Sequence, residues 1–374
     1  MSHRADHTFF DEKLGWSQRK DRILGAYLVA YLPKIATQRR PILLVDGFAG
    51  AGKFSDNSDG SPLIMLRAVR KASTPRTSIM AIEADPVLFQ RLSHVVQDLP
   101  EINPHQGRFL DYIDEIEIAA RTSSVFLYLD PFAARGLDMS QLLRVFQWIK
   151  KGSSVEVLIN FQVSIFARWA LSAVKSRISP ETDGDVPSTP EIEELDSIVG
   201  GNWWRVLATE SVDFVNLTNR IVDGYCDTLR RSFNEVCFHP IFAKTTNSVP
   251  KYVLVFGSRH PDALELMNDE MVKSHRSLVE SELNAEPQGH LFVQPKQLPP
   301  DIAAALREIV VNNLDSPMRR GLLIQRTIRS NFGQFLRKEI RGEIEKQLIG
   351  GSIRSETGKV RINDDVVISR VGSQ

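Results

Sequence analysis

The sequence predicts an α/β fold in which helices alternate with the strands of a mostly parallel sheet. Short, mostly apolar runs at residues 42–45, 78–82, 125–129 and 155–159 recur along the chain, and the first three end directly at an acid. Amphipathic stretches separate these runs. Strands that alternate with helices in this way join through right-handed crossovers into a parallel sheet.

The individual elements follow from the same patterns. Ser17 is predicted to cap a first helix that reaches about Leu32. Residues 139–150 show the apolar spacing of an amphipathic helix. Residues 236–244 and 251–258 alternate around a polar turn, which predicts the sixth and seventh strands of the sheet, the last of them antiparallel.

Length and composition indicate two domains and a cytoplasmic protein. A chain of 374 residues with 42% hydrophobic residues can bury a large core. We predict a large α/β domain at residues 1–280 with an acidic loop at 179–199, a linker at 281–300 and a small domain at 301–374. The polar N-terminus predicts no signal peptide, and the most apolar stretch, residues 23–33, is too short to span a bilayer.

Charge and cysteine content narrow the function classes. The formal net charge is zero, so no overall field attracts nucleic acid. The only two cysteines, Cys226 and Cys237, make no disulfide framework, and no histidine lies near them at zinc spacing. We therefore predict that both are core residues and that the chain holds no metal.

The glycine-rich turn after the first apolar run admits more than one interpretation. Its glycines and Lys53 fit the phosphate-binding pattern G-x-x-x-x-G-K, but Phe54 stands where that pattern needs a Ser or Thr for magnesium. Asp46 would repel phosphate oxygens, whereas it would attract the ammonium group of S-adenosylmethionine, which has no phosphate. The pattern favours S-adenosylmethionine over a P-loop nucleotide or a plain strand-to-helix turn. The predicted cofactor-binding residues of this turn are Asp46, Gly47, Phe48, Gly50 and Gly52.

Further acids follow the later strands. Glu83 ends the second apolar run, where a carboxylate suits both hydroxyls of a ribose. Asp111 is placed to meet the amino group of adenine, although a cap for the helix that follows is an equally good interpretation. Asp130 ends the run at residues 125–129 and is followed by Pro131 and Phe132.

Together these motifs resemble a known family. The chain carries D-G-F-A-G-x-G at 46–52, G-S-P-L at 60–63, I-E-A-D at 82–85 and L-D-P-F at 129–132. With the opening F-F-D-E-K at 9–13, this combination resembles the three-Cys-motif partner proteins, which are class I S-adenosylmethionine methyltransferase-like proteins of bacteria and archaea. The resemblance extends from Phe9 to about Met271.

The resemblance implies a fold, a cofactor and a partner. The fold is a Rossmann-like class I methyltransferase sheet whose last strand is antiparallel, and the cofactor is S-adenosyl-L-methionine. The partner is a radical-S-adenosylmethionine-like protein that carries the three cysteines, so two cysteines here are no contradiction. Trp16 and Lys20 lie in the shared N-terminal stretch, which implies that they close over the methionine end of the cofactor.

The predicted catalytic residues are Asp130, Pro131 and Phe132. A carboxylate that accepts the N–H bonds of an amine would aim its lone pair at the methyl group. In amino-methyltransferases an Asp/Asn-Pro-Pro-aromatic turn does this, with the aromatic stacked on the target base. Here Phe132 holds the third place and Ala133 the fourth, which puts an adenine target in doubt and leaves a nitrogen of a nucleic acid or protein.

Two other functions stay open at this stage. The chain could be a non-catalytic subunit that binds S-adenosylmethionine or nothing and gives specificity to its three-cysteine partner. More remotely, the turn at residues 47–53 could belong to a P-loop NTPase.

The C-terminal block has a separate character. Residues 319–346 contain eight basic and three acidic residues. Helices at about 318–329 and 335–348, then strands at 353–354 and 360–362, have the order of a winged helix, which can contact nucleic acid. A solvated or protein-docking basic face is the alternative. The predicted nucleic-acid contacts are Arg337, Lys338, Arg341, Arg354, Lys359 and Arg361.

Overall fold

The computed structural model describes residues 15–74, 76–132, 135–176, 191–211, 213–244, 246–285 and 300–371. The chain forms two compact units, Met1–Ala263 and Leu264–Gln374. Among the described residues, no helix has both the length and the apolar character needed to cross a membrane.

The larger unit is built on a seven-stranded sheet. Its strands are β1 (Ile42–Asp46), β2 (Thr77–Glu83), β3 (Ile102–Gln106), β4 (Ser124–Leu129), β5 (Val155–Phe161), β6 (Glu235–Ile241) and β7 (Tyr252–Ser258). The spatial order is β3-β2-β1-β4-β5-β7-β6, and only β7 runs antiparallel to its neighbours in this sheet. This is the Rossmann-like class I methyltransferase sheet, so the predicted fold class is confirmed.

Helices cover both faces of this sheet. They are α1 (Gly15–Ala36), α2 (Ser61–Ala72), α3 (Pro86–Val96), α4 (Ile113–Thr122), α5 (Met139–Lys150), α6 (Val163–Ser176), α7 (Ile192–Val199), α8 (Trp204–Glu210) and α9 (Phe214–Arg230). Every residue of β4 and of β5 is buried, which explains why these strands are mostly apolar in the sequence, with Glu156 and Asn160 as polar exceptions in β5. The predicted helix at residues 139–150 coincides with α5.

A buried polar cluster ties α1 to the sheet. Glu156 of β5 is 5% exposed and accepts hydrogen bonds from the Tyr27 hydroxyl of α1 and from the Ser258 hydroxyl at 2.9 Å. Burial raises the pKa of Glu156 to about 7, although both hydroxyls lower it. The first helix is therefore fixed by specific hydrogen bonds as well as by apolar packing.

The prediction of an acidic loop at residues 179–199 is wrong over its last part. Ile192–Val199 forms α7, in which Leu195, Ile198 and Val199 are buried. Their spacing is that of one helical face, and the density of acids around them concealed it. Residues 177–190 lie outside the described residues.

The smaller unit combines helices with a short sheet. Its elements are α10 (Pro261–Ala285, which begins in the larger unit), α11 (Pro300–Asn313), β8 (Met318–Arg319), α12 (Arg320–Ser330), α13 (Arg337–Ile349), β9 (Ile353–Ser355) and β10 (Val367–Arg370). The antiparallel order is β8-β10-β9. The two predicted helices are present as α12 and α13. The predicted boundary at residue 280 lies inside α10, and most of the predicted linker, residues 286–299, lies outside the described residues.

The predicted hairpin has the wrong second strand. β9 pairs with β10 at residues 367–370, not with residues 360–362. The intervening segment folds back because Asp364 forms ion pairs with Arg320, Arg337 and Arg341. Its backbone carbonyl also accepts the Gly321 N–H at 2.8 Å. These ion pairs join residues far apart in sequence, so the alternation of apolar and polar residues along a strand gives no sign of them.

Candidate functional site

The predicted acids converge at one edge of the large sheet. β1 pairs in parallel with β2 and β4, and Asp46 lies opposite Ala81 and Tyr128. The ends of these strands therefore carry Asp46, Glu83 and, one residue beyond β4, Asp130 to the same edge. Ligands bind at this carboxyl edge in open α/β sheets.

The turn after β1 depends on its glycines. Gly50 and Gly52 have φ angles of 62° and 75°, in the left-handed region that favours glycine. At Gly47 a Cβ atom would lie 2.8 Å from Cδ2 of Leu129 and 2.9 Å from Cδ2 of Phe109. The Phe48 ring lies 6.1 Å, centroid to centroid, from the Phe109 ring. The backbone of this turn is thus packed tightly against the neighbouring strand ends.

The loop after Gly52 does not have the geometry of a P-loop. Lys53 forms an antiparallel bridge with Asp59, and the Gly60 N–H donates to the Gly52 carbonyl at 2.8 Å. Helix α2 begins only at Ser61. In a P-loop the helix opens beside the lysine, so that its first N–H groups face the phosphates. That arrangement is absent from the described loop.

Asp46 is fully buried and incompletely satisfied. Its Oδ1 atom accepts the Phe48 N–H at 3.3 Å, while Oδ2 accepts no hydrogen bond from any described residue. Burial raises the pKa of Asp46 to about 7; the Ser61 hydroxyl and the Phe48 amide lower it, Asp130 raises it and Lys20 lowers it. A buried carboxylate oxygen without a donor is costly unless a ligand supplies one.

Glu83 fastens the turn to the second strand. Oε2 accepts the Gly50 N–H at 2.8 Å, and Oε1 accepts the Asp85 N–H at 2.7 Å. Burial raises the pKa of Glu83, and these two amides lower it. Each carboxylate oxygen keeps a second lone pair, so the group can still accept hydrogen bonds from ligand hydroxyls.

Asp111 lies after β3, in a 3₁₀ turn at Phe109–Tyr112. Its Oδ2 accepts the Arg108 N–H at 2.8 Å, and its Oδ1 lies 2.9 Å from Nη2 of Arg108. The Arg108 side chain lowers the pKa of Asp111. The side chain is 44% exposed, so the carboxylate caps its turn and also faces solvent near the carboxyl edge.

Asp130 is held by two donors from distant parts of the chain. Lys20 of α1 forms an ion pair with Oδ2, and Nδ2 of Asn160 donates to Oδ1. Burial is the largest single effect and lowers the pKa of Lys20, but the charges of Asp130, Asp21 and Asp46, together with the hydrogen bond to Asp130, raise this pKa overall. Pro131 is buried, whereas the Phe132 side chain is 71% exposed.

The two predicted N-terminal residues have different outcomes. Lys20 reaches the carboxyl edge, where it contacts Asp130 directly, a contact that the sequence did not indicate. Trp16 belongs to α1, but its side chain lies outside the described part of the chain.

Two buried polar residues at this edge were missed by the sequence analysis. Asn160, near the end of β5, is 2% exposed, and its Oδ1 has no hydrogen-bond partner among the described residues. The Tyr128 hydroxyl is likewise buried without such a partner, and burial raises the pKa of Tyr128 well above its usual value. Asn160 follows the apolar run at 155–159 as the three acids follow theirs, so the same pattern could have identified it.

The six predicted nucleic-acid contacts in the smaller unit fall into two groups. Arg337 and Arg341 form ion pairs with Asp364. Nε of Arg337 also lies 2.7 Å from Oε2 of Glu265. These two arginines are thus occupied within the fold. Four remain exposed, namely Lys338, Arg354, Lys359 and Arg361.

Comparisons with known proteins give structural likenesses only. No protein-family model and no curated protein matches the sequence. Human methyltransferase-like protein 13 in complex with SAH has a TM-score of 0.33 and 15% identity, over 75% of this chain and 99% of that chain. Protein LPL1258 of Legionella pneumophila has a TM-score of 0.37 and 10% identity, over 71% and 91%. The O-methyltransferase TomG of Streptomyces achromogenes in complex with SAM has a TM-score of 0.29 and 16% identity, over 62% and 79%. With TM-scores this low, the likenesses carry no argument about cofactor or reaction.

Replacing Gly47 by Ala is expected to destabilise the larger unit. The new methyl group would overlap Leu129 and Phe109, both fully buried, at 2.8 and 2.9 Å. Overpacking of this kind costs about 1–3 kcal/mol, which a thermal unfolding experiment detects. Gly342→Ala is the control, because a Cβ atom there meets nothing within 4 Å. An unfolding temperature unchanged by Gly47→Ala would contradict the tight packing of this turn.

Proposed function

We propose that this chain is an S-adenosylmethionine-dependent methyltransferase that acts on a nitrogen of a nucleic acid or a protein. The observation that carries the proposal is the buried Asp46 carboxylate, whose Oδ2 atom has no donor among the described residues. An ammonium group supplies that donor together with a positive charge. A phosphate supplies neither and would be repelled.

The other residues of the edge fit the remaining parts of the cofactor. Glu83 keeps lone pairs for the two ribose hydroxyls, and Asp111 offers an exposed carboxylate for the adenine amino group. Gly47 lets the turn pack against Leu129 and Phe109, which fixes the backbone beside Asp46. Lys20 brings a positive charge to the same edge, where it can meet the cofactor carboxylate. Bound there, the cofactor supplies an electrophilic methyl group on a positive sulfur.

Asp130 then orients the acceptor. Its carboxylate accepts an N–H bond of an amine, which aims the nitrogen lone pair and eases the positive charge that develops on nitrogen. With the cofactor bound, Asp130 would hold the nitrogen in line with the methyl group, the sulfur would leave as the neutral thioether of S-adenosylhomocysteine, and the nitrogen would lose its proton to water. The exposed Phe132 ring beside Asp130 offers a flat apolar surface for a planar acceptor such as a base.

A second candidate function is a non-catalytic subunit for a three-cysteine partner protein. One contact favours it: the Lys20 ammonium already occupies Oδ2 of Asp130, the atom that an acceptor amine would use. A catalytic chain must release Lys20 from Asp130 before the acceptor binds. A binding subunit has no need to do so.

Isothermal titration calorimetry of the full chain tests the cofactor assignment. We expect S-adenosylmethionine and S-adenosylhomocysteine to bind, because both present an ammonium to Asp46, and we expect ATP with magnesium to give no heat. Binding of ATP with magnesium, without binding of either sulfur compound, would refute the proposal.

A transfer assay separates enzyme from subunit. Tritiated methyl groups are followed from S-adenosylmethionine into total RNA, DNA and protein, with and without the three-cysteine partner. Incorporation into one class names the acceptor. Tight cofactor binding without incorporation into any class favours the subunit.

The smaller unit is proposed to contribute nucleic-acid contacts. In this proposal its helices and its antiparallel sheet act as a winged helix, and the exposed basic residues Lys338, Arg354, Lys359 and Arg361 contact phosphates. Reversing the charge of Lys359 and Arg361 together should weaken RNA or DNA binding without changing cofactor affinity. If this variant binds RNA and DNA as tightly as the wild type, Lys359 and Arg361 do not contact nucleic acid.

A further inference from the structure

A basic cavity lies at the edge of the large sheet opposite the carboxyl edge, which holds the candidate site. It is about 300 Å³ in volume and is formed by the end of α5, the end of α9, the segment before β6 and the residue after β7. Because β5 begins and β7 ends beside it, the length of β5 separates it from the carboxyl edge, a distance of about 20 Å. The lining residues that carry charge are Lys150, Arg230, Arg231 and Arg259.

The positive charge of this cavity is not balanced. No acid lines it, and only Arg230 has an ion pair among the described residues, with Asp227 at 2.6 Å. Two helix ends bring about half a negative charge each, which accounts for basic residues in the last turns of α5 and α9. Arg259 follows a strand, so no helix end explains it. Asp227, Asp223 (which acts electrostatically on Arg230) and the two helix ends together bring about three negative charges against four positive ones, so the excess lies on Lys150, Arg231 and Arg259.

The cavity also has a fixed shape. The Arg259 guanidinium extends towards Gly152, whose φ angle is 94°, and a Cβ atom there would lie 4.0 Å from Nη1. Asn234 holds the same segment by donating from Nδ2 to the Arg259 carbonyl at 3.3 Å. Phe233 forms the floor and packs edge-on against Phe146 at 4.7 Å between centroids. The backbone that carries Arg259 is thus anchored, and exposed guanidinium groups such as those of Arg231 and Arg259 suit the oxygens of a phosphate.

An aromatic cavity adjoins the basic one. It is about 480 Å³ in volume and shares Arg231 with the first cavity. Trp203 lines it and lies so close to Gly224 that a Cβ atom there would be 2.4 Å from Cζ3 of the indole. The ring is thus fixed in place by the bare backbone of α9. A base can stack on such a ring, and the Asp223 carboxylate in the same cavity can accept base N–H bonds.

We propose that these two cavities, here called the α9 surface, bind a nucleotide unit. The phosphate contacts Arg231, Arg259 and Lys150, and the base lies against Trp203. The unit belongs either to a free nucleotide or to a single strand of nucleic acid. Because the α9 surface is remote from Asp46 and Asp130, its ligand is neither the methyl donor nor the group that is methylated.

Binding experiments on the full chain test this proposal. Fluorescence anisotropy follows a labelled short single-stranded RNA, and calorimetry follows AMP and inorganic pyrophosphate. The variant is Arg231→Gln/Arg259→Gln, and the control is Arg91→Gln, an exposed arginine of α3 that forms no ion pair among the described residues. S-adenosylmethionine calorimetry on each protein reports the cofactor site independently.

The double variant is expected to bind RNA or AMP about tenfold more weakly or worse, while Arg91→Gln binds as the wild type does. If the ligand is a strand, the logarithmic salt slope of RNA binding falls by about 0.7 for each phosphate that the variant no longer neutralises, and AMP competes poorly. If it is a free nucleotide, AMP binds as tightly as RNA. The proposal is overturned if no probe binds the wild type, if the double variant binds normally, or if Arg91→Gln weakens binding equally. None of these outcomes depends on methyl transfer.

Discussion

Asp46→Asn is expected to weaken S-adenosylmethionine binding about 30-fold or more at pH 8. The substitution keeps the shape and the acceptor oxygen of the side chain, but it removes the charge that faces the ligand ammonium. Hydrogen bonds between charged groups contribute about 2 kcal/mol, which corresponds to this change in affinity. Calorimetry at pH 8 measures it, with Asp98→Asn, at an exposed position, as the control.

The same substitution is expected to change stability in the opposite direction. Because burial raises the pKa of Asp46 to about 7 from 3.8, the folded protein binds a proton that the unfolded chain releases between these values. The free energy of unfolding therefore falls as pH rises from about 4 to about 7, by up to about 4 kcal/mol from this group. Without ligand, the Asp46→Asn variant does not lose this free energy of unfolding as pH rises. It should therefore be more stable than the wild type at pH 8.

Thermal unfolding at several pH values checks the second half of this prediction. The difference in unfolding temperature between Asp46→Asn and the wild type should grow from about pH 4 to about pH 7 and then level off. Saturating S-adenosylmethionine should reduce this advantage by stabilising only the wild type. A constant difference across the range would show that Asp46 titrates normally and would remove the electrostatic basis for its role.

Asp130→Ala is expected to abolish measurable methyl transfer and to leave S-adenosylmethionine affinity within about threefold. The carboxylate orients the acceptor nitrogen, and losing one such preorganised group costs about 100- to 1,000-fold in rate. Rate is measured with the acceptor class that the tritium assay identifies. Full activity in Asp130→Ala would refute the catalytic assignment.

Lys20 complicates this experiment, because removing its partner leaves a buried ammonium alone. Asp130→Asn is the closer replacement, since it keeps an oxygen that can accept from Lys20 and from the acceptor. The double variant Lys20→Met/Asp130→Ala removes both charges. If the loss of transfer came only from the orphaned lysine, the double variant would regain activity. We expect it to stay inactive and to bind the cofactor more weakly than Asp130→Ala.

The sheet could be predicted from the sequence because its strands are buried on both faces. Full burial makes β4 and β5 mostly apolar, and a strand that ends at the ligand edge is followed by or finishes in a polar residue. Asp46, Glu83 and Asp130 were found in this way. The sequence did not reveal α7, because its four apolar residues lie among three acids within a stretch rich in acids and prolines. The acidic composition obscured the helical spacing of the apolar residues.

Contacts between distant segments could not be predicted. Nothing in the local sequence indicates that Lys20 would reach Asp130, which is 110 residues away along the chain. The three arginines around Asp364 looked like a free basic face, since ion pairs that form on folding leave no periodic trace. Arg337 and Arg341, two of the predicted nucleic-acid contacts, take part in these ion pairs with Asp364.

The hydrogen bonds that join Tyr27 and Ser258 to Glu156 have a practical consequence for anyone who expresses this protein. They make the helix Gly15–Ala36 an integral layer of the larger unit, and the same helix brings Lys20 to Asp130 at the carboxyl edge of the sheet. Deleting residues 15–36 to obtain a minimal version would uncover the buried Glu156 carboxylate and remove the Lys20 partner of Asp130. Shortened versions should therefore begin upstream of Gly15, and affinity tags are better fused elsewhere.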